Sequence, residues 1–268
     1  MILKCGFGLL SLGFILTACT SPPAQPKPLP PKLVEGMWSD PLGAIGMLCF
    51  FTCTDAAIER LNALLDDPGN DARPFPDLRA EAEKHSRDHY LRPRLTDAAL
   101  KNYPLDPADD PGLLRCEPWG LARQMFAPHQ IEIRRVGEDR VDLRYGEWNA
   151  HRTIYMDAPR RQERLLSSSM GHSAGRWEGE TLIVETTDVR ANITPWRFEH
   201  GDGLQTVERF TRSDDGETLL LTATLTDPWS LRQPLVIKKI WNWAPDSEIT
   251  PYEDCEPAAA VTRGVSAP

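Results

Sequence analysis

The residues able to move a proton gather in the second half of the chain. His172 sits in the run Met170-Gly171-His172-Ser173-Ala174-Gly175-Arg176-Trp177, with carboxylates placed to serve it. Glu185 lies on the strand expected to pair with this run, Asp188 follows that strand, and Glu147 ends an upstream apolar stripe of Val141, Leu143 and Tyr145. An imidazole with a carboxylate is the pairing that general acid–base chemistry uses, and His172 with Glu147 or Glu185 would suit a hydrolase or an isomerase. Each residue also has a plainer reading. A lone strand histidine commonly holds a structural hydrogen bond, and Glu147 could be a rim carboxylate ion-paired with Arg152, because structural ion pairs imitate active sites. Gly171 to Gly175 spell the G-x-S-x-G of a hydrolase nucleophile elbow. That elbow needs strand, turn and helix, whereas a hairpin follows here, so Ser173 is not taken as a nucleophile.

A second set of residues could hold a ligand rather than transform it: Tyr145, Arg152, Arg176, Trp177 and Trp241. The chain has eight tryptophans, and all but Trp38 lie beyond residue 118. Indoles fill cores because each buries a large area, but they also line cavities for apolar or sugar-like ligands. Both readings stand at this point.

The elements that must position these residues are strands. Residues 171–177 and 181–187 read as a hairpin around Glu178-Gly179-Glu180, where glycine supplies the positive φ of a short loop. Upstream, Ile131 and Ile133 alternate with Glu132 and Arg134, and Val141, Leu143 and Tyr145 with Asp142 and Arg144. Residues 152–157, 206–212, 217–226 and 235–243 read the same way, and 248–255 could pair behind them. Eight or nine strands at hairpin spacing predict a barrel or sandwich. Residues 37–112 instead read as a small helical segment. Thr54-Asp55 caps a run with Ile58, Leu61, Leu64 and Leu65 on one face. A second helix starts near Pro76-Asp77, and a third at Thr96-Asp97. Asp106 to Gly112 reads as an acidic turn cluster without the spacing of a calcium loop. The predicted class is α+β and mainly β: an antiparallel, lipocalin-like barrel over residues 113–257.

The front of the chain reads as an address. Lys4, the apolar run 7–16 and Leu16-Thr17-Ala18-Cys19 form a signal peptide over residues 1–18, with a small residue before the cleavage point. The apolar run is too short to span a bilayer. Cysteine after that small residue resembles a bacterial lipobox, which implies lipidation of Cys19 and membrane attachment through it. Thr20 in place of aspartate favours the outer membrane facing the periplasm. Residues 19–36 form a proline-rich, semi-rigid tether. Loss of the leader, whose single charge is Lys4, takes the formal charge from −9 to −10. Such an acidic protein lacks the electrostatic footprint of a nucleic-acid binder. Cys49, Cys53, Cys116 and Cys255 remain for disulfides in an oxidising space, with three connectivities open. A local Cys49–Cys53 bridge and a long Cys116–Cys255 staple are favoured, the staple contributing about 5 kcal/mol on a chain-entropy estimate. Cys49 and Cys53 lack the second ligand pair that a metal would need, so no metal or cofactor is expected. The Ala-rich tail, 258–268, reads as disordered.

Several of these residues also form a pattern. Cys116, Pro118, Gly120 and Arg123, then Arg152, Ile154, Tyr155 and Asp157, precede the run Met170 to Gly179 with Thr181, Leu182, Val184, Thr186 and Thr187. Glu208-Arg209-Phe210, Asp227-Pro228 and Cys255-Glu256 follow. The pattern resembles a widespread family of uncharacterised bacterial secreted proteins and lipoproteins, over about residues 113–257. Ala122 departs from it, since the family has proline there, and the helical segment falls outside it. The resemblance supplies no activity. It implies that Cys116 and Cys255 are partners and that His172 and Arg176 matter. Three functions follow as expectations: a module binding a small, partly apolar ligand inside the barrel, an acid–base enzyme using His172, and an envelope scaffold whose protein partner is unknown.

Overall fold

The computed structural model describes residues 34–39, 54–156, 167–249 and Cys255. The leader, Cys19, the tether up to residue 33, the expected Cys49–Cys53 bridge and the tail lie outside these residues. The strands in chain order are β1 (Gly36–Ser39), β2 (Ile131–Val136), β3 (Arg140–Tyr145), β4 (His151–Met156), β5 (His172–Glu178), β6 (Thr181–Thr187), β7 (Asn192–Ile193), β8 (Glu199–His200), β9 (Gln205–Arg212), β10 (Thr218–Thr226) and β11 (Leu235–Trp243). Nine of them close a barrel in the order β1-β11-β10-β9-β6-β5-β4-β3-β2, and β7 pairs with β8 in a separate ribbon. This is the mainly β, lipocalin-like barrel that the alternation predicts.

The alternation has a simple cause. Successive strand residues face opposite sides, so every second side chain enters the barrel. On β10, Leu219, Leu221, Ala223 and Leu225 are buried, and on β11 so are Leu235, Ile237, Lys239 and Trp241. The residues between them face outward, and Ile240 is exposed. Closure removes the unpaired edges that would otherwise invite aggregation. Gly179 turns β5 into β6 at φ +62°. Gly175 lets β4 and β5 approach, since a Cβ there would stand 2.5 Å from Ile154 Cγ2.

Three features depart from the sequence reading. The first is β1, which lies within the span read as tether and helix. Trp38 pairs with Ile131 of β2 and Trp243 of β11, so this four-residue strand completes the barrel. It is too short to show a period. The second is the pairing of β4 with β5, which is parallel rather than antiparallel. Fifteen residues separate Met156 from His172, more than a hairpin loop needs and enough for a crossover. The third is the acidic turn cluster. Asp110 caps a short helix, its Oδ1 accepting from Gly112 N at 2.9 Å while its Oδ2 accepts from Arg123 at 2.6 Å. Residues 248 and 249 carry no strand.

Five helices are α1 (Asp55–Leu65), α2 (Phe75–Ser86), α3 (Asp97–Leu100), α4 (Pro111–Arg115) and α5 (Leu121–Gln124). Thr54 caps α1 by accepting from Ala57 N, and Leu61 and Leu64 pack on Leu78 and Ala82 of α2 in a core of their own. After α2 the chain continues through a π-turn, Arg87–Leu91. Leu91 and Leu95 then join the barrel core. Backbone hydrogen bonds from Thr96 N to Ser230 O (2.9 Å) and Arg232 N to Arg94 O (2.7 Å) fasten this layer to the loop between β10 and β11. Cys116 and Cys255 form the long disulfide, 139 residues apart in sequence with Cα atoms 5.7 Å apart.

Candidate functional site

The barrel interior holds a charged network. Arg152 of β4 donates from Nε to Ser173 Oγ (2.8 Å), and through both terminal nitrogens to the two Glu208 oxygens (2.6 and 2.8 Å). It also donates to Thr186 Oγ1, and Thr206 Oγ1 donates to Glu208 at 2.7 Å. The pair spans from β4 to β9, and the two strands between contribute Ser173 and Thr186. Its side chains are 1% and 0% exposed. Burial alone would depress the guanidinium's pKa, but the Glu208 charge and hydrogen bonds outweigh it and push the value up. Burial likewise raises the pKa of Tyr145, which faces Arg152. A buried ion pair of this kind survives because its polar atoms are met on all sides.

A plug closes the end of the barrel. Lys239, 1% exposed, donates to the carbonyl of Ala127 and lies 4.7 Å from the Trp241 ring centre. Trp241 Nε1 donates to His129 O at 3.3 Å, and Gln124 Nε2 donates to Glu147 O at 2.8 Å. The expected Glu147–Arg152 pair does not form. Glu147 binds His129 instead, and Arg152 turns to Glu208. Glu147 lies beyond the end of β3, where α5 and its following loop arrive, whereas Arg152 starts the next strand's inward face.

On β5, Ser173 and Gly175 are buried, so His172, Ala174 and Arg176 face outward. Glu185, opposite Ala174, shares that outer face. Arg176 binds Glu185 and Glu178, each at 2.8 Å, on a side chain 47% exposed, where such pairs contribute little. The structure therefore divides the sequence candidates. Tyr145, Arg152, Trp177 and Trp241 stand on inward positions, with Tyr145 and Arg152 adjacent. His172, Glu185 and Arg176 stand outside, and Glu147 belongs to the plug. The three acid–base candidates do not share one face. Ser173 is buried and accepts from a guanidinium inside the barrel.

A different region has the character of a site. Between the helical layer and the β7–β8 ribbon lies a cleft of about 380 Å³. Leu91, Tyr103, Pro104, Pro195, Trp196 and Leu235 supply apolar and aromatic walls, while Thr54, Glu83, Ser86, Arg87 and Arg197 supply polar ones. Thr54 and Ser86 satisfy each other at 2.6 Å. Tyr103 and Trp196 do not find such partners. They are 8% and 9% exposed, and neither the phenol oxygen nor the indole nitrogen has a hydrogen-bond partner among the described residues. Burial pushes the Tyr103 hydroxyl up to about 12, against the pull of Arg87, Arg92 and Arg197. Burial also raises the pKa of Glu83, which Arg79 partly offsets at 3.3 Å.

Neither Tyr103 nor Arg87 stands out in the sequence, because the cleft draws one or two residues from each of several distant segments. The one available signal was Thr194-Pro195-Trp196, a loop tryptophan held by proline. A second groove, of about 630 Å³, runs beside His200, Asp202 and Trp229. His200 is 2% exposed, its Nδ1 lies 2.9 Å from Gly201 O, its Nε2 has no partner, and burial lowers its pKa. Among the described residues no group of three or more His, Cys, Asp or Glu could hold a metal ion. Comparison with protein families, with curated proteins and with solved structures finds no match.

Proposed function

We propose that this chain is a binding protein for a small, partly apolar ligand, seated in the cleft between the helical layer and the β7–β8 ribbon rather than inside the barrel itself. The observation that carries this reading is the pair of buried, partnerless donors on Tyr103 and Trp196. Leaving a buried donor unmet costs about 1–3 kcal/mol, so a ligand that accepts from both recovers that energy on binding. The volume lies within the range of small-molecule sites, and the walls mix apolar surface with a few polar groups. The inward positions of the barrel are taken by large buried side chains, among them Trp38, Phe210, Trp241 and the Arg152 network.

The experiment is a metabolite pull-down on the full chain, with Tyr103→Phe/Trp196→Phe and His172→Ala run beside the wild type. A compound retained by the wild type and by His172→Ala, and lost from the double variant, supports the cleft. Retention by the double variant, with loss from His172→Ala, would return the site to the outer face and favour acid–base chemistry there. The proposal extends to address: the protein is held in the bacterial envelope by lipid on Cys19, at the outer membrane facing the periplasm. The lipobox-like leader supports this, and so does the Cys116–Cys255 disulfide, which suits an oxidising compartment. Cys19→Ala is expected to move the chain from the membrane fraction to the soluble one, and unchanged membrane attachment would overturn the anchor.

A further inference from the structure

We infer that the ligand of this cleft carries a single anionic head group, such as a carboxylate, on an apolar body, an inference that rests on the binding reading above. The charges around the cleft do not cancel. Glu83 is ion-paired with Arg79 at 3.3 Å, and Asp88, next in sequence to Arg87, with Lys84 at 2.7 Å. Arg197 is spent on the carbonyl of Leu105, and Arg92 lies 5.7 Å from the Tyr103 ring centre. Arg87 lines the cleft, and among the described residues it makes no close ion pair or side-chain hydrogen bond, acting on Glu83 and Asp88 only at longer range.

The remaining polar groups agree in kind. A phenol can donate, an indole N–H can only donate, and a guanidinium can only donate. Three donors with nothing to accept from them describe the complement of an acceptor-rich group. A carboxylate offers about four lone-pair sites and one negative charge, matching the Arg87 guanidinium and two neutral donors, and the charge of Arg197, held on a neutral carbonyl, adds to the positive field. Glu83 also lines the cleft, and its Oε1 makes no hydrogen bond among the described residues, but it is ion-paired with Arg79 and burial works against its charge, which disfavours a cationic ligand. Composition does not explain the arrangement, since the chain as a whole carries a formal charge of −9. The apolar body is set by Leu91, Pro104, Pro195 and Leu235, with the Trp196 ring as a flat wall.

Equilibrium dialysis of the full chain against 2-naphthoate, 2-naphthamide and 2-naphthylmethylamine tests the inference, with decanoate and decanamide as a second matched pair. Differences between variants cancel any partition into detergent. In at least one pair the anion is expected to bind the wild type about tenfold more tightly than its amide, the size of one charge-assisted contact. Arg87→Gln should bring that ratio near one, and Arg87→Lys should keep most of it. Arg87 is exposed, so its variants should melt with the wild type; a melting curve confirms this. Amide or amine binding as tight as the anion's would overturn the anionic head and leave the binding reading standing. A ratio that survives Arg87→Gln would also overturn it. No binding by any of the five compounds would sink both together.

Discussion

The Arg152–Glu208 network inside the barrel and the cleft beside it treat buried polar atoms in opposite ways, although the Tyr145 hydroxyl beside that network also lacks a hydrogen bond. Inside the barrel, Arg152 and Glu208 meet each other through two hydrogen bonds, and Ser173, Thr186 and Thr206 take up the rest. In the cleft, Tyr103 and Trp196 are nearly as deep, and their polar atoms meet no hydrogen-bond partner among the described residues. Folding alone accounts for the first arrangement, because a complete network repays its desolvation and cross-links strands that are not neighbours. It does not account for the second, where polar groups were carried inside without partners. Charge and burial read alone draw attention to the Arg152–Glu208 pair, whereas the unmet hydrogen bonds are what motivate the proposed cleft.

The contrast can be broken by mutation, and the largest effect should come from the interior. Arg152→Met leaves Glu208 buried without its partner and should cost about 3–5 kcal/mol of stability, read from the denaturation midpoint. Arg152→Met with Glu208→Leu should recover most of that loss; a double variant as unstable as the single would show that the pair itself, not the stranded charge, holds the barrel. In the cleft the sign should reverse. Tyr103→Phe removes a partnerless hydroxyl and should raise the stability of the ligand-free protein by about 1 kcal/mol, while weakening ligand retention. A drop in stability would mean that the hydroxyl has a role in folding.

The smallest effect concerns His200. Burial lowers its folded pKa below the usual 6.5, so the unfolded chain takes up the proton first as pH falls. Stability should therefore decline as pH drops through 6.5 and level off below the folded value. His200→Asn, which can keep the contact to Gly201 O, should flatten that part of the curve. A slope shared by variant and wild type would move the titration to another group.

Much of the barrel is legible in the sequence, because each inward-facing strand position leaves a period of two. Val141, Leu143 and Tyr145, or Leu219, Leu221, Ala223 and Leu225, declare their faces without help from any other part of the chain. What escapes is whatever depends on a distant partner. Arg152 looks matched to Glu147, five residues before it, but the carboxylate it finds is Glu208, placed opposite only when the sheet curls round. β1 escapes because four residues cannot show a period. The cleft escapes because Arg87, Tyr103 and Trp196 come from separate segments that share no spacing.

The position of β1 has a consequence for how the molecule is made. Its neighbours in the closed ring are β2 and β11, and Ser39 pairs with Asn242, about three quarters of the chain's length away. A polypeptide emerging amino end first releases β1 before every other strand, yet the ring cannot shut until β11 has followed. Until then the growing sheet has open borders, and the entropy of closing so long a loop must be met late. Emergence of the chain and completion of the barrel are thereby coupled: the last strand out is the one that locks the first in place.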